Sequence, residues 1–182
     1  MGEDFRDEIT RQWLKEKLGY RCTDAFIDWL DDIGYFECPA AKSHHSNYKG
    51  GLFSHSMNVA TELQRLTDGL DLEWERLESP YVIGLLHDIC KTDDYKYDFD
   101  ELPFQEIRFD PDHAGHGMKS IMILCSHFCL TEEEKYCIAY HMGPYTDQSE
   151  WKYYNKAIEK YPNVLYTHMA DMIASKIREV NK

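Results

Sequence analysis

A chain of 182 residues with 43% hydrophobic and 14% aromatic residues is long enough to bury a core, which excludes a disordered polypeptide. A formal net charge of −13, with no Lys/Arg cluster, disfavours a module that binds extended nucleic acid passively, because phosphate contacts dominate that affinity. No apolar run approaches a membrane span, and Met1–Asp7 is acidic without an apolar leader core. The expectation is therefore a cytoplasmic protein with no membrane partner.

Helix signals dominate and strand signals are weak. A first helix is predicted over Glu8–Leu18, stopped by Gly19. Thr23 is an N-cap candidate for a second, whose apolar face is Phe26, Ile27, Leu30 and Ile33 and whose stop is Gly34. Tyr35–Gly51 holds Pro39, a His-His pair and a Gly-Gly pair and reads as a loop. A third helix covers Leu52–Leu66. A fourth runs from Ser79 through Lys91, with Pro80 suited to its first turn. Thr92–Asp112 reads as a long loop of functional type, with a short hairpin around Phe104–Phe109. A fifth helix covers His113–Phe128. Thr131 and Glu134 form a capping-box pattern for a sixth ending near Gly143. A seventh spans Glu150–Lys160, and the last spans Asn163–Val180. There is no internal repeat and no linker, so residues 1–182 are expected to form one all-α domain. The N-terminal helices take up 1–43 and the site region 44–175.

The six cysteines (Cys22, Cys38, Cys90, Cys125, Cys129 and Cys137) form no C-x-x-C pair and read as reduced thiols. The histidines are less easily placed. His55 shares a helix face with Val59. His87-Asp88 directly follows the apolar run Val82–Leu86. Asp171 lies within Met169-Ala170-Asp171-Met172-Ile173. An ionised carboxylate in such a setting must be paired, hydrogen-bonded or metal-bound, since burying it bare is very costly. One anomaly of this kind has a bland explanation in a satisfied core side chain. Several, each on a different helix, suit a bundle that aims them at one interior point.

The ordered set His55, His87-Asp88, His116, His141 and Asp171 resembles the signature of HD-domain phosphohydrolases. Its flanks agree: Gly50-Gly51-Leu52-Phe53-Ser54-His55, Leu85-Leu86-His87-Asp88-Ile89-Cys90-Lys91, and Ala170-Asp171. The motif context is similar to the HD domain of YhaM-like 3′-5′ exoribonucleases, whose OB-type domain has no counterpart in the helical first 45 or so residues here.

The resemblance implies an HD-type helical bundle whose primary divalent metal is held by His55, His87, Asp88 and Asp171. It also implies that His116 and His141 either hold a second ion or hydrogen-bond substrate phosphate or a bound water. Mn, Fe, Ni, Co, Zn and Mg are all admitted. Asp88, Lys91, His116 and His141 are the catalytic candidates in a hydrolysis driven by a metal-activated water. Lys91, one turn after His87-Asp88, is either a phosphate contact or a helix C-terminal cation. His44 and His45 are substrate-side candidates, at least one of which is solvated in a loop. His168 is a candidate partner behind the metal ligands.

The aromatic residues of Asp93–Phe109 either stack on a base or pack the loop on the core. The expected substrate is a nucleotide, a short oligonucleotide or another small phosphoester. The alternatives are a 3′-5′ exonuclease acting on single strands and a catalytically weak ligand sensor.

Overall fold

Leu14 and Leu18 lie one helical turn apart and are both buried, which seats the first helix, α1 (Glu3–Leu18), on the core. The computed structural model describes residues 3–41, 47–94 and 115–179, with 3–7 described by their backbone alone. Thr23 Oγ1 accepts the N–H of Phe26 and starts α2 (Asp24–Asp32), which buries Phe26, Ile27 and Leu30. The chain then turns back at Gly34. Tyr35 donates its buried hydroxyl to the carbonyl of Leu85.

Next comes α3 (Gly51–Leu70). Its first N–H groups have no helical partner, and the preceding turn supplies them: Gly50 N–H bonds Glu37 O and Leu52 N–H bonds Cys38 O, both at 2.8 Å. Then follow α4 (Ser79–Leu86), α5 (Lys91–Asp94), α6 (His116–Leu124), α7 (Glu132–Ala139), α8 (Trp151–Lys160) and α9 (Asn163–Ile173). A π turn, Ala174–Arg178, continues α9. The described residues contain no strand, so the fold is an all-α bundle.

The centre of the bundle is α4, with Val82, Ile83, Leu85 and Leu86 all buried; it is apolar all round, as a central helix must be. α3 packs against α4 and α9, and α7 packs against both of these. The α3–α4 approach is set by Gly84. A Cβ there would lie 2.3 Å from the Cα of Ala60, so only glycine lets these two backbones come this close. That contact fixes the spacing between His55 on α3 and the residues that follow α4.

The boundaries differ from the sequence expectation in ways that matter for the site. The fourth helix stops at Leu86, not Lys91. The carbonyl of Gly84, which a continuing helix would offer to the N–H of Asp88, is engaged by His87 Nδ1 at 2.9 Å, and the chain tightens into Ile89-to-Leu86 and Lys91-to-Asp88 turns. The sixth helix stops at Ala139, not near Gly143, by the same device: His141 Nδ1 engages the carbonyl of Ile138 at 2.8 Å.

The fifth helix ends at Leu124, before Phe128. His127 stacks on Trp29 with ring centroids 4.0 Å apart, and Phe128 packs on Phe26, which draws the chain towards α2. The last α-helix gives way at Ala174 to the π turn. α1 begins at Glu3, and α3 reaches Leu70, where Asp71 closes it in the left-handed region. Lys91–Asp94 is helical where a loop was expected from Thr92. The rest of that loop, its expected hairpin, His44, His45, His113 and Val180 lie outside the described residues. No helix among the described residues is long and apolar enough to cross a membrane.

Candidate metal centre

Four stretches distant in sequence converge on one site. α3 brings His55, the end of α4 brings His87 and Asp88, the turn after α7 brings His141, and α9 brings Asp171. Donor atoms of His55, His87 and Asp88 lie within 4.8 Å of one another, as do those of His87, His141 and Asp171. Asp88 stands between the rings. Its Oδ2 is 3.4 Å from His87 Nε2 and 3.8 Å from His55 Nε2, and its Oδ1 is 3.4 Å from His141 Nε2. Asp171 Oδ1 is 3.3 Å from His55 Nε2. All but Asp171 are buried.

The rings are oriented from behind. His87 Nδ1 and His141 Nδ1 face backbone carbonyls, which only accept, so each Nδ1 carries the proton and each Nε2 presents a lone pair inward. His55 Nδ1 is held in the same sense by the carboxylate of Glu179 at 3.0 Å. His87 Nε2 is therefore an acceptor facing the acceptor oxygen of Asp88, and it is buried without a hydrogen-bond partner. Such an orphan costs about 1–3 kcal/mol.

A divalent cation removes that cost, and imidazole nitrogens with carboxylate oxygens are the donor set that Mn, Fe, Co, Ni or Zn prefers. The C-terminal ends of α4 and α7 add partial negative charge on the same side. The residues present thus fit a metal ion.

The neighbouring cationic and hydrogen-bonding groups hold both carboxylates ionised. Burial works to raise Asp88, but Lys91, His87 and His141 outweigh it and hold the carboxyl well below its ordinary range. Burial likewise opposes Asp171, yet the hydrogen bond with His55 and the nearby His87 and His141 bring it down to about 2. Both carboxylates are ionised near neutral pH. Burial lowers His55, but bonds to Asp171 and Glu179 prevail and raise it to about 9, so a cation at its Nε2 would displace a proton there.

A cavity of about 240 Å³ opens beside these groups. Lys91 lines it, with Nζ 2.6 Å from Asp88 Oδ2. His116 lines it too but stands apart from the two triads. Its Nδ1 is 3.6 Å from Asp94 Oδ2 and 3.7 Å from Cys90 Sγ, and Asp94 is also bound by Lys119 at 2.8 Å. The structure therefore places His141 among the primary ligand candidates and His116 in a neighbouring Cys90–Asp94–His116 group.

One residue had no clear sequence signal. Glu179 reads as one more charge near the chain end. Eight residues after Asp171 it would lie about 80° off that residue's face in a regular α-helix. The π turn, closed by Glu179 N–H to Ala174 O at 3.2 Å, retards the helical phase and brings Glu179 behind His55, where it also accepts from Asn58 Nδ2 at 3.0 Å. His168 lines the cavity while its Nδ1 donates to the carbonyl of His141 at 2.9 Å. Gly143, at φ +54°, makes room for it, since a Cβ there would lie 2.7 Å from the His168 ring.

Glu179→Gln keeps the shape behind His55 and removes the charge. We expect metal affinity to fall about 10–100-fold, the range for loss of such an outer partner, as read by calorimetric titration with Mn²⁺ or Zn²⁺. Unchanged affinity would mean that Glu179 does not orient His55.

Comparison of the chain with protein-family models, with curated proteins and with solved structures finds no match.

Proposed function

We propose that this chain is a metal-dependent phosphohydrolase of the HD type, cleaving a phosphoester of a nucleotide or other small phosphate ester. The observation that carries the reading is the buried, partnerless His87 Nε2, aimed with the His55 and His141 rings at two ionised carboxylates. His55, His87, His141, Asp88 and Asp171 would hold one divalent ion. When bound, that ion supplies Lewis acidity towards water and the phosphoryl oxygens.

The chain's own groups do the rest. Lys91, already at the cavity wall, offers an ammonium to a phosphoryl oxygen. His116 reaches the same cavity from α6 and can donate to phosphate or to a water.

The test is metal analysis of the purified protein, followed by a substrate panel of nucleoside monophosphates, cyclic nucleotides, deoxynucleoside triphosphates and labelled oligonucleotides. Stoichiometric metal and metal-dependent hydrolysis are expected. A protein that binds no metal and turns over none of the panel would end this reading. Lys91→Ala is expected to lower kcat/KM about 10–100-fold, since a hydrogen bond to a charged group contributes about 1.5–3 kcal/mol, with metal content unchanged. Loss of metal in this variant would reassign Lys91 from phosphate to the ligand shell.

A further inference from the structure

The cavity beside the ligands does not end at the phosphate. A second hollow of about 380 Å³ adjoins it and shares His116, Met142 and Tyr145 as a common wall. It runs between the start of α6 and the beginning of α8, with Tyr140 and Tyr153 along it. The two hollows differ in their cations. The first is lined by Lys91 and Lys176, beside the carboxylates of Asp88, Asp171 and Glu179. The second is lined by Asp147 and Glu150, with no Lys or Arg among its described lining residues. Lys152, whose ammonium sits 4.7 Å over the Tyr153 ring, is not part of the lining. Tyr145, at the junction, is 67% exposed, with the His168 ring tilted against it at 6.2 Å between centroids, and so offers ring surface to a flat partner.

We infer that this second hollow is the leaving-group subsite, and that it takes an uncharged nucleoside, which makes the preferred substrate a nucleoside monophosphate. The inference rests on the phosphohydrolase reading. Hydrolysis breaks the bond between phosphorus and the ribose oxygen and forms one between phosphorus and a water oxygen. One water proton ends on the ribose hydroxyl and the other on the released phosphate. The product that leaves along the second hollow is then neutral.

A nucleoside suits this lining: its base stacks on tyrosine faces, and its N–H and O–H donors meet carboxylates. The next phosphate of an oligonucleotide would enter between Asp147 and Glu150, where like charge opposes it. A lone alkyl leaving group would leave the tyrosines uncovered.

The metal-loaded protein is assayed with AMP, the dinucleotide pApA and glycerol 1-phosphate, and binding of adenosine alone is followed by NMR. AMP is expected to exceed both other substrates in kcat/KM by about tenfold or more, on the scale of one base–aromatic stack. Adenosine should shift the signals of Tyr145 and Tyr153. Tyr145→Ala should bring the AMP to glycerol phosphate ratio about tenfold closer to one, and Glu150→Lys should raise pApA relative to AMP. A ratio near one in the wild type, pApA cleaved as well as AMP, or ratios unmoved by both substitutions would overturn the subsite. If adenosine binds at Tyr145 but no phosphoester is cleaved, the hydrolase reading fails while the nucleoside site stands. If phosphoesters are cleaved without adenosine binding there, the subsite alone fails.

Discussion

Asp88→Ala is expected to abolish metal binding and turnover together while leaving the helices in place. This carboxylate faces the Nε2 atoms of His55, His87 and His141 and pairs with Lys91, so all three imidazoles address it. Its removal leaves three imidazoles and the Lys91 ammonium around a site with a single carboxylate, Asp171. A cation there loses half of its anionic partners. Loss of metal-based charge stabilisation, several kcal/mol of barrier, corresponds to at least about 10³-fold in rate.

The backbone has no reason to follow. Asp88 lies in the turn after α4, and its carbonyl accepts Lys91 N–H whatever the side chain. Far-UV circular dichroism should therefore match the wild type while elemental analysis finds no stoichiometric metal. Full metal content with full activity in this variant would remove the proposed centre. His87→Ala is expected to behave alike, for the reason that its Nε2 has no other use.

The largest effect on stability is expected at a site remote from the metal. Arg21, in the 3-10 turn Gly19–Arg21 that follows α1, donates to both oxygens of Glu134 at 2.7 and 2.8 Å and to the carbonyl of Cys129 at 2.8 Å. Glu134 is fully buried and also accepts from Ser79 Oγ and from Thr131 N–H, where it completes the capping box of α7. One ion pair thus joins this turn to α4 and α7.

Arg21→Met fills much of the same space and strands the Glu134 carboxylate, which should cost about 3–5 kcal/mol. For a chain of this size that is a fall in Tm of about 10 °C or more. Thermal denaturation of Arg21→Met, Glu134→Gln and the double variant would separate the pair from its parts. The double variant should recover some of the loss, since it no longer buries a charge without a partner. A fall of less than about 1 kcal/mol in Arg21→Met would show that the pair holds nothing together.

Much of the fold was readable locally. Thr23 and the Thr131–Glu134 box announce helix starts because a side-chain oxygen next to an unpaired N–H acts within one turn. The helix ends were harder. α4 and α7 were expected to run on through their histidines, because propensity has no term for an imidazole that turns back on the carbonyl three residues earlier. Glu179 was invisible for a related reason: its place depends on the phase shift of a π turn, a feature of backbone winding with no residue-level marker here.

The sequence by itself determined that the chain is helical, that its apolar stripes build one core, and that His55, His87, Asp88 and Asp171 stand where ordinary core residues would be expected. Those are local properties, set by spacing and burial along each helix. Only the tertiary structure decided that His141 faces Asp88 while His116 turns to Cys90 and Asp94, and that Glu179 steadies His55. Those pairings follow from how far apart the helices lie, and that distance depends on contacts such as Gly84 against Ala60, between residues far apart in the chain.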